Sequence, residues 1–110
     1  MGVMDDFKVK PVIVVIDDEL IILNSIRSLL RRQFAVHTFI NPAEVKSFLN
    51  DHHVDLVISD EMMPEIKGSE LMTEIHKTHP SICKIILSGH AEKENIAAAI
   101  NNAHIFAFLF

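Results

Sequence analysis

The stretch Val12-Ile13-Val14-Val15-Ile16-Asp17-Asp18-Glu19 decides the architecture. Five consecutive β-branched residues after Pro11 leave no polar face, so the run reads as a strand covered on both sides, as in a parallel sheet. It stops abruptly on acidic residues. Helical spacing takes over at once: Leu20–Gln33 places Ile22, Ile26, Leu29 and Leu30 on one stripe, with Asp18 and Glu19 at the positive end of the helix dipole and Arg27, Arg31 and Arg32 toward the other end. The same alternation continues down the chain. Phe34–Ile40 is a short strand. Asn41-Pro42 opens a helix, with Asn as cap, Pro in the first turn and Glu44 three residues after the cap, and Val45, Phe48 and Leu49 on its apolar side. Val54–Ser59 is a third strand, ending at Asp60. Pro64 and Gly68 punctuate a loop, and Ser69 caps a helix that holds Leu71, Met72 and Ile75 and stops before Pro80. Lys84–Leu87 is a fourth strand, Glu92–Asn102 an Ala-rich helix and Ile105–Leu109 a fifth strand. Strands alternating with helices predict a parallel sheet with helices on both faces.

Composition sets the outer bounds. The chain has 110 residues, with 10 Lys+Arg against 15 Asp+Glu and a net charge of −5. Apolar residues make up 49% and charged residues 23%, which fits a globular chain and argues against a disordered one. A chain of this size buries roughly two-thirds of its unfolded surface, enough for one domain with one modest core. We place that domain at residues 11–110, after a short N-terminal extension at 1–10. The single cysteine, Cys83, excludes an internal disulfide framework and a cysteine-based zinc site, and is expected to pack as a small buried apolar residue. No apolar run approaches the roughly 20 residues of a membrane helix, and Met1–Lys10 lacks the pattern of a signal peptide. The expectation is a cytoplasmic protein with no membrane contact. The acidic balance argues against a nucleic-acid surface on this domain.

In open parallel sheets, ligands bind outside the carboxyl ends of the strands. Asp17, Asp18 and Glu19 lie there after the first strand, Asp60 after the third and Ser88 after the fourth. Taken singly, Asp18 reads as a helix cap, Asp60 as a turn residue and Ser88 as an ordinary loop hydroxyl. Together they form an acidic rim. Like charges held close raise one another's pKa unless a cation neutralises them, and oxygen-only ligands select a hard ion such as Mg²⁺. A carboxylate beside that ion can act as a nucleophile and take a phosphoryl group. The hydroxyl of Ser88 could then hydrogen-bond the phosphoryl oxygen. No Gly-rich phosphate loop is present, so nucleotide binding is not indicated. The seven histidines show no persuasive metal-ligand spacing: His52-His53 lie between a helix and a strand, and the i,i+3 pair His76/His79 has a spacing that could hold a metal but reads first as a solvated helix end. No nucleophile signature of a serine hydrolase occurs.

These residues resemble the receiver domain of two-component response regulators. The resemblance runs from Val12 to Phe110 and rests on Val-Val-Ile-Asp-Asp-Glu at 14–19, Leu-Val-Ile-Ser-Asp-Glu-Met-Met-Pro at 56–64, Gly68, and Ile-Ile-Leu-Ser-Gly-His-Ala at 85–91. It implies a flavodoxin-like, doubly wound, five-stranded parallel sheet of order 2-1-3-4-5. By the same resemblance Asp60 is the phosphoacceptor. Asp17, Asp18, Asp60 and the main-chain carbonyl of Met62 hold Mg²⁺, Ser88 is the switch hydroxyl, and Phe108 is the aromatic residue that follows it. Glu61, Met62, Gly89 and His90 flank the site and tune access to it. The donor is a phosphohistidine on a sensor kinase or phosphotransfer protein. The output is an attached domain or partner, and the run Ile100–Phe110 is similar to receivers joined to transcriptional or cyclic-dinucleotide output domains. The family's lysine falls at position 111 by register, one past the last residue, so the expectation is a receiver without that lysine and without the fifth helix.

Two other readings use the same residues. A receiver-like interaction module with impaired switching follows from the missing lysine. A Mg²⁺-dependent aspartyl phosphatase needs a second acid/base aspartate two residues past the nucleophile, where this chain has Met62. Strand alternation puts Phe106, Phe108 and Phe110 on one face and Ile105, Ala107 and Leu109 on the other. With an uncovered face and an open edge at strand five, joined by Leu20, Ile21 and Leu23, association as a homodimer or larger assembly is expected.

Overall fold

A computed structural model describes residues 9–87 and the backbone of 107–109. The elements are β1 (Val12–Ile16), α1 (Leu20–Leu30), β2 (Ala35–Phe39), α2 (Pro42–Asp51), β3 (Leu56–Asp60), α3 (Gly68–Thr78), β4 (Cys83–Leu87) and β5 (Ala107–Leu109). The expected helix at Glu92–Asn102 lies outside the described residues. All neighbouring strands pair in parallel, in the order β2-β1-β3-β4-β5. This is the doubly wound, flavodoxin-like arrangement that the strand pattern and the resemblance imply. No described helix is long and apolar enough to cross a membrane.

The sheet divides the apolar interior into two layers, where composition alone suggested one core. Val14, Ile16, Val57 and Ile86 point to one face and pack with Val45 and Leu49 of α2 and Leu71, Met72 and Ile75 of α3. Ile13, Val15 and Ile58 point to the other and pack with Leu23 of α1. Side chains alternate along a strand, so a run that is apolar at every position feeds both layers.

The α1 stripe is rotated from the one expected. Leu23 is its buried residue, flanked by Ile26 and Leu30, a spacing of three and four residues. Leu29 remains 80% exposed and Ile21 79% exposed. In this rotation Arg27 faces the sheet edge, its Nη2 donating to Thr38 Oγ1 of β2 at 2.8 Å. Leu23 therefore belongs to the core and not to the contact surface expected with Leu20 and Ile21.

Caps and edges differ in detail. Asn41 caps α2 as expected, its side chain accepting the Ala43 N–H at 2.9 Å. The cap expected at Ser69 is displaced, because α3 already begins at Gly68 behind an extended Lys67 that makes no side-chain cap bond. Asp18 does not cap α1 either; that position is Glu19, again without a side-chain bond. Cys83 is exposed rather than buried. Ile82, Lys84 and Ile86 take the α3 face of β4, which leaves Cys83 on the opposite face at the start of the strand. Lys84 is only 1% exposed, and its Nζ donates to the Ile82 carbonyl at 2.8 Å and lies 3.4 Å from His76 Nδ1. Burial holds its ammonium below the usual lysine range.

Leu71 is fully buried at the centre of the α3 layer. Leu71→Ala should cost about 2–5 kcal/mol, read as a lower midpoint in urea unfolding with an unchanged slope.

Candidate functional site

The parallel register sets the site. Ile16 of β1 lies opposite Ser59 of β3, so the next residues along, Asp17 and Asp60, leave the sheet side by side. One carboxylate oxygen from each of Asp17, Asp18 and Asp60 lies within 4.8 Å of the others. Asp17 is 7% exposed, Asp60 half-buried and Asp18 exposed. Among the described residues this is the one group of three or more acidic, His or Cys side chains placed to share a metal ion. His52, His53 and His79 are engaged elsewhere, with Phe48, Asp55 and Thr78 respectively. His76 is not in the group either.

The surroundings explain the charge state. Burial pushes the Asp17 carboxyl up to about 6, and the charges of Asp60 and Asp18 add to this. The Glu19 N–H opposes it, donating to Asp17 Oδ1 at 2.8 Å. Asp60 is raised for the same first reason, burial, while the nearby backbone N–H groups of Met62 and Glu61 favour its charged form and pull it down. Two carboxylates are thus held above their ordinary range beside a third. A divalent cation relieves that repulsion, and the donor set is oxygen only, which fits Mg²⁺.

The loop after β3 is tied back tightly. Ser59 Oγ donates to the Asp60 carbonyl at 2.8 Å, and the Gly68 N–H donates to the Glu61 carbonyl at 3.0 Å. A Cβ on Gly68 would overlap the Asp60 carbonyl oxygen. Glu61 is 0% exposed and bonded to Ser69, so its side chain does not line the entrance as expected. Sequence reasoning missed this partnership; the spacing of eight residues across a loop offers no periodic signal. Met62 is exposed at the rim. Beside the carboxylates, a crevice of about 280 Å³ is walled by Asp18, Ile40, Pro42 and Met63. A larger crevice of about 360 Å³ between α2 and α3 shares no residue with the cluster.

Of the other expected site residues, Ser88, Gly89 and His90 lie outside the described residues. The chain reaches Leu87, opposite Asp60, immediately before Ser88. Phe108 is placed on β5 opposite Ile86.

The family model for the response regulator receiver domain matches residues 13–110, and the chain belongs to that family. Hydrogenase transcriptional regulatory protein HoxA of Cupriavidus necator is 30% identical over 97 residues, 88% of this chain and 20% of that protein. The chain therefore spans only a small part of the curated relatives that it matches. The signal receiver domain of an HD domain-containing protein from Pseudomonas fluorescens superposes with a TM-score of 0.86 at 31% identity, covering 92% of this chain and 82% of that one. A CheY-like response regulator receiver domain protein from Methanospirillum hungatei gives 0.84 at 26% identity, covering 92% and 81%.

A carboxyl whose folded pKa lies above its unfolded value stabilises the fold while protonated, and that contribution is lost as pH rises from 3.8 through about 6. Metal-free chain should lose this contribution between about pH 4 and pH 7, and Asp17→Asn should remove the Asp17 share of that loss in thermal melts. Mg²⁺ competes with the same proton. Its affinity, followed by titration, should fall by up to about tenfold per pH unit below about pH 6.

Proposed function

We propose that this receiver is a phosphoryl-accepting switch with Asp60 as the acceptor. The observation that supports it best is the convergence of Asp17, Asp18 and Asp60 at the ends of β1 and β3, with one oxygen of each within 4.8 Å of the others. Asp17, Asp18, Asp60 and the main-chain carbonyl of Met62 would hold Mg²⁺. When bound, that ion supplies positive charge to offset the charge of the phosphoryl oxygens.

The chain's own groups do the rest. The Glu61 and Met62 N–H groups orient the Asp60 carboxylate. A carboxylate oxygen of Asp60 attacks the phosphorus of a phosphohistidine in line. The P–N bond breaks, its electron pair stays on the departing imidazole nitrogen, and an aspartyl phosphate remains. The donor is a sensor histidine kinase or a phosphotransfer protein. In this reading the hydroxyl of Ser88 moves to the phosphoryl oxygen and Phe108 follows, which biases the surface near β4 and β5 toward one of two states. The hydrogenase regulators that the chain matches are transcriptional, which favours transcriptional output through an attached or partner domain. Association with a second copy through β5, the last strand in the sheet order, belongs to the same proposal.

Acetyl phosphate with Mg²⁺ should add the mass of one phosphoryl group to the chain. Asp60→Asn should abolish the adduct, and Asp17→Asn should slow its formation. An adduct that persists undiminished in Asp60→Asn would rule the assignment out.

A further inference from the structure

We propose that Glu61 is a positioning residue for phosphoryl transfer at Asp60, its buried carboxylate locking the peptide group that aims at the acceptor. The inference rests on the proposed function and adds to it a role for a residue outside the acidic cluster.

The geometry is a clamp. Glu61 is 0% exposed, and a buried carboxylate needs polar partners. It finds two on one residue: Ser69 N–H donates to Oε1 at 2.7 Å and Ser69 O–H to Oε2 at 2.9 Å. Ser69 N–H belongs to the first turn of α3, where backbone donors have no partner within the helix. Lys67 offers no side-chain cap, so Glu61 serves that end from eight residues away. Negative charge is favoured there by the helix dipole.

The backbone of Glu61 is held as well. The peptide group between Glu61 and Met62 has its carbonyl bonded to Gly68 N–H at 3.0 Å. The N–H of that same group, on Met62, faces the Asp60 carboxylate and favours its charged form. One peptide plane is therefore pinned to α3 at one end and aimed at the acceptor at the other. Its orientation is set by the backbone torsion at Glu61, and the side chain on that Cα is anchored to Ser69. Releasing the carboxylate leaves the Gly68 bond alone to hold the torsion. The Met62 N–H and the Met62 carbonyl, the backbone groups on either side of Met62, then lose their aim.

Four variants test this with three measurements: intact mass after acetyl phosphate and Mg²⁺, Mg²⁺ affinity from amide shifts in NMR titration, and the thermal midpoint without metal. Glu61→Ala should weaken Mg²⁺ binding and slow adduct formation about tenfold. Glu61→Gln should stay within about twofold of wild type, because its carbonyl can accept the Ser69 N–H and its amide can donate to the Ser69 hydroxyl. Ser69→Ala should shift both readouts in the direction of Glu61→Ala, and it decides the matter if Glu61→Ala does not fold. Ile75→Val, a core change, should lower the midpoint and leave Mg²⁺ affinity alone. Wild-type affinity and rate in Glu61→Ala, with or without a lower midpoint, would overturn the clamp while leaving the switch standing. A wild-type chain that takes up no phosphoryl group overturns both.

Discussion

The pairing of β1 with β3 is the constraint on which the site depends. Parallel strands start and stop in the same direction, so their carboxyl ends share one edge of the sheet. Ile16 opposite Ser59 then leaves Asp17 and Asp60 no choice but to emerge together. Pairing β4 beside β3, with Leu87 opposite Asp60, brings the chain to the same edge just before Ser88. A slip of one residue would separate Asp17 from Asp60, and because β1 is apolar on both faces it is the paired register, and not the apolar pattern of β1, that holds them together.

That arrangement has a cost in charge. Asp17 and Asp60 are partly removed from water and lie beside other carboxylates, and both are harder to ionise as a result. Backbone N–H groups from Glu19, Glu61 and Met62 offset part of the cost and at the same time orient the carboxylates. The remainder is what a cation would relieve. The rigidity comes from below, where the run Val12–Ile16 fills both layers and leaves β1 little freedom to shift. It also comes from the side, where Gly68 lies so close to the Asp60 carbonyl that no Cβ fits.

Much of this was legible in the sequence. Val12–Ile16 announced a strand buried on both faces because it has no polar position. Asp17, Asp18 and Asp60 were legible as a site because all three follow strands, and strand ends in a parallel sheet converge. The apolar side of α2 and of α3 was equally plain from spacing. The stripe on α1 was not, because Ile21, Ile22, Leu23, Ile26, Leu29 and Leu30 offer more apolar positions than one face uses. Packing of Leu23, Ile26 and Leu30 against the sheet selects one of the possible rotations, and it leaves Arg27 placed to reach Thr38.

Cys83, Lys84 and Glu61 show the same division. Composition places cysteine inside and lysine and glutamate outside. Here Cys83 is exposed, while Lys84 and Glu61 are buried with their polar ends satisfied by the Ile82 carbonyl and by Ser69. Partners of that kind lie on other segments and leave no period in the chain. The sequence by itself determined the alternating strands and helices, the two-faced sheet and the identity of the acidic residues, because those follow from local apolar pattern. Tertiary structure alone decided which face of α1 is buried, which charged side chains go inside and how Glu61 grips the start of α3, because those depend on which distant groups the folded backbone brings within hydrogen-bonding distance.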